Sequence, residues 1–219
     1  MPNPNKILIC SALKFEARGI IDKLELKPAR IVEGIKTYKG DLQNHQAYLC
    51  ITGVGLQNGS AIVKKVLDAI EPDVVMNFGL AGSLIDALKP GQLFIPLACK
   101  NIEGQEYKCD SYLREKWREY AEPDRRIDSE YKLISLDNPV NRREVREKLR
   151  KDMQVHAVDM EAFEQAKLAF MAGLPFVCLK IISDNAGFLA AFQYWTGMRK
   201  KSELLGETVK GLLRLFVTL

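Results

Sequence analysis

Short apolar runs alternating with helical patterns predict an α/β protein: a single three-layer α/β/α domain with a central mixed β-sheet, spanning residues 1–219. Three observations carry this reading. Runs such as KILIC (6–10), DVVMNFG (73–79) and PFVCLKIISD (175–184) are almost wholly apolar, as strands covered on both faces are. Between them lie segments with apolar residues at helical spacing, of which LQNGSAIVKKVLDAI (56–70) is the clearest. With 219 residues, 47% hydrophobic and 27% charged, the chain can bury a full core and is too apolar to be disordered.

KILIC reads as the first buried strand, and LKFEARGIIDKLEL (13–26) as a helix. ARIVEGIKTYKGDL (29–42) reads as a strand, a turn at Glu33–Gly34 and a second strand. QAYLCITGVG (46–55) is a strand ending in glycines, followed by the helix 56–70, which stops near Pro72. DVVMNFG is a central strand running into LAGSL. GQLFIPLAC (91–99) is a strand after the turn Lys89–Pro90–Gly91. Residues 100–130 are polar and mixed, with one helix near 110–121. YKLISLD (131–137) is a strand, NRREVREKLRK (141–151) a solvated helix with Glu–Arg and Glu–Lys pairs. VHAVDM (155–160) is a strand, EAFEQAKLAFMAG (161–173) a helix closed by Gly173, and 175–184 another strand. An amphipathic helix over 198–218 ends the chain.

A net charge of +4 is mild, and without a long basic stripe or an aromatic-basic motif it argues against nucleic acid as a partner. The cysteines, at 10, 50, 99, 109 and 178, match no zinc or CxxC spacing. Cys10, Cys50 and Cys178 lie in apolar runs and read as core residues; an odd total suits a reducing compartment better than a Cys99–Cys109 bridge. MPNPNKILICSA carries no signal segment and no apolar run reaches membrane length, so a cytoplasmic location is expected.

In α/β sheets ligands gather beyond the carboxyl ends of the strands. Ser11, Ala12 and Glu16 follow the first strand; Gly53 and Gly55 the third; Leu80, Ala81 and Gly82 the central one; Glu161 follows HAVDM; Ser183 and Asp184 close the last. Three carboxylates, Glu16, Glu161 and Asp184, thus converge on one sheet edge. Each alone has a plainer reading: Glu16 as an acid in a first helical turn, Asp184 as a helix cap, Met160 as core, Asp159 as a structural charge at the start of the next helix. His45 and His156 read as structural.

NFGLAGSLIDALKPGQLFIP, VDMEAFEQA and KIISDNAG together resemble three signatures of the nucleoside phosphorylase and nucleosidase superfamily. ICSALKFEA resembles the opening of its methylthioadenosine/S-adenosylhomocysteine nucleosidase branch, and GLAGSLIDALKPG with VDME the hopanoid-associated phosphorylase branch; futalosine hydrolases are a third branch to weigh. The resemblance implies cleavage of a purine from ribose. Positive charge builds on the sugar and negative charge on the base, and two carboxylates serve the two faces. It implies Asp184 as the acid facing purine N7. It implies Glu16 as the base that activates water, Glu161 as the acceptor of the ribose hydroxyls, and Met160 as a floor beneath the sugar. Leu80, Ala81, Gly82, Val140 and Ser183 complete the substrate-binding set. Phe188 and Tyr194, in the aromatic stretch NAGFLAAFQYWTG (185–197), are implied to cap an apolar 5′ substituent, methylthioadenosine-like or lipid-linked.

The chain departs from the pattern in places. Leu80 stands where the family usually has a serine, Gly187 where relatives often have aspartate, and Phe15 and Asn77 where phosphorylases carry phosphate-binding arginines. Arg18, a turn away, is the remaining cation in reach. Water is therefore expected as the nucleophile. A phosphorylase that takes phosphate as co-substrate and a non-catalytic nucleoside-binding module stay open as alternatives. No other cofactor and no metal are expected. The resemblance also implies a homo-oligomer, a dimer or larger, with residues near 55–65 and 100–112 as its surface. MRKK (198–201) raises contact with anionic lipid as a minor expectation.

Overall fold

The first strand, β1 (Lys6–Ser11), shows how the sequence sorts its side chains. Alternate residues point to opposite faces of a sheet, and Ile7 and Ile9 join one apolar cluster while Leu8 and Cys10 join another. The computed structural model describes residues 4–42, 44–120, 130–186 and 197–214. Among them, eleven strands form one mixed sheet between two helical layers.

β1 lies between β4 (His45–Ile51) and β5 (Val74–Ser83), parallel to both. β2 (Lys27–Ala29) and β3 (Thr37–Leu42) continue from β4 as antiparallel strands to one edge. On the other side of β5 the order runs β10 (Ala157–Asp159), β9 (Leu133–Ser135), β7 (Ala98–Lys100) and β8 (Glu106–Lys108). β11 (Phe176–Asp184) also pairs with β5, in parallel, and carries the short β6 (Leu93–Phe94). All ten residues of β5 and all nine of β11 are buried, which accounts for the unbroken apolar runs.

On one face pack α1 (Lys14–Lys23), α3 (Ser111–Tyr120) and α6 (Met198–Arg214), through Ala17, Ile20, Leu113, Trp117, Leu205 and Val209. Trp117 stacks on Phe78 of β5 at 5.4 Å, a contact worth about 1 kcal/mol beyond its buried area. On the other face pack α2 (Leu56–Ile70) and α5 (Ala162–Met171), through Val63, Val66, Phe163 and Ala166. α4 (Arg143–Met153) has a single buried residue, Leu149, in a satellite cluster with Ile134 and Val158 on which Met153 also packs; most of the helix is solvated, as its charge pattern predicts.

Three expectations are corrected. The turn expected at Glu33–Gly34 is present but wider, so that 30–32 and 35–36 belong to it rather than to strands: Ile35 N–H donates to Val32 C=O and Gly34 is left-handed, with φ +75°. Its apolar residues Ile31, Val32 and Ile35 pack on the core from the turn, so their hydrophobicity is used without strand geometry. The predicted strand 91–99 is two strands. Pro96 lacks an N–H and interrupts the ladder, and the chain changes partner there, from β11 to β9. The polar stretch 100–130 contains β8, whose three residues are too few to show a pattern. The helix over 198–218 is described as far as Arg214.

All five cysteines are free and buried. No helix among the described residues is long and apolar enough to cross a membrane. Of MRKK, Arg199 and Lys200 are exposed and Lys201 is not. Arg199 pairs with Glu203 at 2.8 Å, and Lys201 is buried, its ammonium donating to Ser183 C=O at 3.1 Å.

Candidate active site

Four strand ends and two helix starts enclose a cavity of about 340 Å³. It is lined by Ala12 and Glu16 beyond β1, Leu80–Gly82 at the end of β5, and Val158–Glu161 at the end of β10. Ser183, Asp184 and Ala186 close it at the end of β11, and the exposed Val54, Pro139 and Asn141 with the buried Val140 complete the lining. Nine of the residues predicted from the sequence are therefore together: Glu16, Leu80, Ala81, Gly82, Val140, Met160, Glu161, Ser183 and Asp184. Phe188 and Tyr194 lie outside the described residues.

Asp184 is aimed by a bulge. The β5–β11 register shifts between Ile182 and Asp184, and Asp184 comes to sit opposite Gly82. A bulge re-aims a side chain at a strand end. Here the carboxylate accepts the Ala186 N–H at 2.8 Å through Oδ1 and the Ser183 hydroxyl at 2.5 Å through Oδ2. A Cβ on Gly82 would lie 3.0 Å from Asp184 Oδ1 and 3.3 Å from the Ala186 methyl, so glycine there is what lets the acid lie against β5.

Glu16, 5% exposed, sits in the first turn of α1 and reaches over β5 at Gly79. The position of a Cβ on Gly79 is 3.4 Å from both Glu16 Oε2 and Lys180 Nζ. Lys180 is thus the cation beneath the site. It is fully buried on β11 and pairs with Asp159 Oδ2 at 2.7 Å. Burial is the largest single influence and opposes its charge, but Asp159, Cys178 and Glu161 together outweigh it, so its pKa is raised and it stays an ammonium. Asp159 also accepts the Ser135 hydroxyl at 2.5 Å and, at 3.1 Å, the Ala162 N–H at the start of α5. Ser135 Oγ accepts the next helical donor, Phe163 N–H, at 2.9 Å. These two side chains satisfy donors that a helix start leaves open. The reading of Asp159 as a structural charge is correct.

Glu161 occupies the N-cap position of α5, with φ −145° and ψ −35°, which turns it away from the helix. It is 7% exposed. Burial first, and then the Asp159 carboxylate, push its pKa up to about 8; Lys180 works in the opposite direction, and Glu16 adds a smaller upward push. A buried carboxyl held close to neutrality with no side-chain cap to make is a group prepared for a ligand.

Sequence reasoning missed Lys180, although its signal was present: a lysine inside CLKIISD is an ionisable group in an otherwise apolar strand, and such a group needs a buried partner. Lys201, read as a lipid-facing charge, lies instead beneath the site. Arg18 does not reach in: its side chain is 81% exposed and faces Asp22 at 3.7 Å. Asn77 is buried and donates to Gln165 at 2.8 Å, a core contact. His45 is buried against the Pro4 carbonyl, and His156 stacks on Tyr131 at 4.4 Å and accepts the Lys132 N–H. Neither histidine lines the cavity. Among the described residues lining it, no lysine or arginine is present.

Residues 6–214 match the model of the phosphorylase superfamily. The chain is 24% identical over 222 residues to the 5′-methylthioadenosine/S-adenosylhomocysteine nucleosidase of Staphylococcus aureus (strain JH9), covering 94% of this chain and 97% of that one. Among solved structures it is similar to the futalosine hydrolase of Helicobacter pylori strain 26695, with TM-score 0.89, 21% identity, and 96% and 98% of the two chains covered. It is similar also to a variant nucleosidase from Helicobacter pylori with 5′-methylthioadenosine in the active site, with TM-score 0.90, 20% identity, and 96% and 99% covered. At these identities the structural likeness concerns the fold.

Proposed function

The chain belongs to the phosphorylase superfamily, and on that premise we propose that it is a purine nucleosidase that hydrolyses the N-glycosidic bond of an adenosine-type nucleoside with an apolar 5′ substituent. The observation that carries this is the meeting of Glu16, Glu161 and Asp184, from three separate strand ends, around one cavity of about 340 Å³.

Glu161 accepts hydrogen bonds from the two ribose hydroxyls, with the Met160 thioether against the sugar. Asp184 gives a proton to purine N7 while the C1′–N9 bond breaks and its electrons pass into the base. Glu16 takes a proton from water as the water oxygen bonds C1′ on the opposite face. Solvent returns both carboxyl groups to their starting states. Lys180 and Asp159 lie beneath the site as an ion pair, Lys180 favouring negative charge on Glu161 and Asp159 opposing it.

Water as nucleophile is supported by the cavity lining, which among the described residues offers no cation to hold a phosphate dianion. Leu80, at the end of β5, is an apolar side chain where a hydroxyl would otherwise stand. An apolar 5′ group is supported by Val54, Pro139 and Val140 in the lining and by the aromatic stretch that follows Asp184 in the sequence.

The test is incubation with methylthioadenosine, adenosine, inosine and futalosine, each with and without phosphate, followed by measurement of free base. Release of adenine from methylthioadenosine without phosphate is expected. Strict dependence on phosphate would make the protein a phosphorylase. No release, with a raised melting temperature for one nucleoside, would make it a binding module.

A further inference from the structure

α1 and α6 cross at two glycines. A Cβ on Gly19 would lie 1.8 Å from Ser202 C=O, and one on Gly206 would lie 2.2 Å from Gly19 C=O. The two backbones therefore touch without side chains between them. Ordinary helix pairs keep their axes about 8–10 Å apart because side chains intervene. At this crossing the Ser202 hydroxyl enters the backbone of α1: it accepts the Gly19 N–H at 2.8 Å and lies 3.1 Å from Glu16 C=O, to which it donates. Those are the carbonyl of Glu16 itself and the amide three residues on. The turn that carries the water-activating carboxylate is thus tied to α6 by one side chain.

The preceding residue turns the other way. Lys201 is 9% exposed, and its ammonium donates to Ser183 C=O at 3.1 Å. Ser183 is the residue before Asp184, and its hydroxyl holds the Asp184 carboxylate. Burial lowers the Lys201 pKa while the Asp184 charge supports the ammonium, so the two charges sense each other. Adjacent residues of one helical turn hold the backbone at both reacting carboxylates, which come from opposite ends of the fold's sequence.

We propose that Lys201 and Ser202 are positioning residues that fix Glu16 and Asp184 relative to each other, so that water attack and base protonation stay in register. This rests on the nucleosidase reading above. Neither side chain lines the cavity, so both act through the carboxylates. Displacing a reacting group by about 1 Å costs on the order of a hundredfold in rate.

The experiment compares Ser202→Ala, Lys201→Met and Lys201→Arg with wild type, and uses Lys200→Met, at an exposed neighbour, as control. Folding is checked by circular dichroism and thermal melting. In Ser202→Ala and Lys201→Met, kcat for methylthioadenosine is expected to fall about tenfold to a hundredfold with KM within about threefold, because the substrate contacts are intact. Lys201→Arg, which keeps the donor and the charge, is expected to recover most of the loss. Folded variants with kcat within twofold of wild type would overturn the proposal. Crystal structures of the same variants provide a reading that does not need turnover: the Glu16 and Asp184 carboxylates are expected to move apart from their wild-type positions, and superposition on wild type would overturn the proposal. A wild-type protein that releases no base would instead remove the nucleosidase reading, while the crystallographic comparison still decides whether the turn positions the two acids.

Discussion

Replacing Glu161 with glutamine should flatten the protein's stability against pH. Burial and the neighbouring Asp159 carboxylate raise the Glu161 pKa from 4.5 to about 8. Between those values the folded chain holds a proton that the unfolded chain has released, so unfolding free energy falls as pH rises. The contribution is fully present below pH 4.5, declines up to about pH 8 and is constant above. At about 1.4 kcal/mol per pH unit, that interval amounts to about 5 kcal/mol. Glutamine keeps the shape and does not titrate. Urea unfolding at steps from pH 5 to pH 9, extrapolated linearly to water, measures the difference. Wild type is expected to lose about 3–5 kcal/mol more than Glu161→Gln over that range, because other groups titrate alike in both proteins. Parallel curves, agreeing within about 0.5 kcal/mol, would show that Glu161 is ionised in the empty site and that its burial has been misread. The same variant should bind nucleoside more weakly above pH 8, where the wild-type carboxylate accepts both ribose hydroxyls.

Further outcomes follow from the same geometry. Lys180→Met leaves Asp159 buried without its cation and should destabilise the protein by about 3–5 kcal/mol; adding Asp159→Asn should recover part of that in denaturant unfolding. Gly206→Ala places a methyl 2.2 Å from the Gly19 carbonyl and should lower stability by about 3 kcal/mol or more; an unchanged melting temperature would contradict the helix crossing. Asp184→Asn should reduce base release by about 10²–10⁴-fold with the melting temperature within a few degrees of wild type, and near wild-type turnover would remove Asp184 from its role.

The buried strands of this fold were legible because a strand covered on both faces has few polar positions: β1, β5 and β11 appear in the sequence nearly as they stand. The helices α2 and α6 were equally plain from spacing. The edge strands were not. β2, with Pro28 at its centre, and β8 are three residues each, too short for a period, and Ile31, Val32 and Ile35 beside the expected turn mimicked strand ends because burial leaves the same composition in either geometry. The site was legible through topology, since strand ends converge whatever their sequence, and Glu16, Glu161 and Asp184 meet as expected. What escaped was the support beneath them. Lys180 was visible as an anomaly, but its partner Asp159 lies on a different strand. The roles of Lys201 and Ser202 depend on two helices far apart in the chain that meet through glycines, and no local pattern announces that contact.

β5 serves two purposes with one run of ten buried residues. Its first half fills both apolar clusters, and its end, Leu80–Gly82, is a wall of the cavity. Leu80 and Ala81 are themselves members of those clusters. A substitution that reshapes the pocket at Leu80 or Ala81 therefore also changes the volume of the core, and altered substrate preference and altered thermal tolerance would be inherited together. Divergence toward new nucleosides is freer at Val54, Pro139 and Asn141, which are exposed beside the cavity, where a side chain can change without the interior registering it.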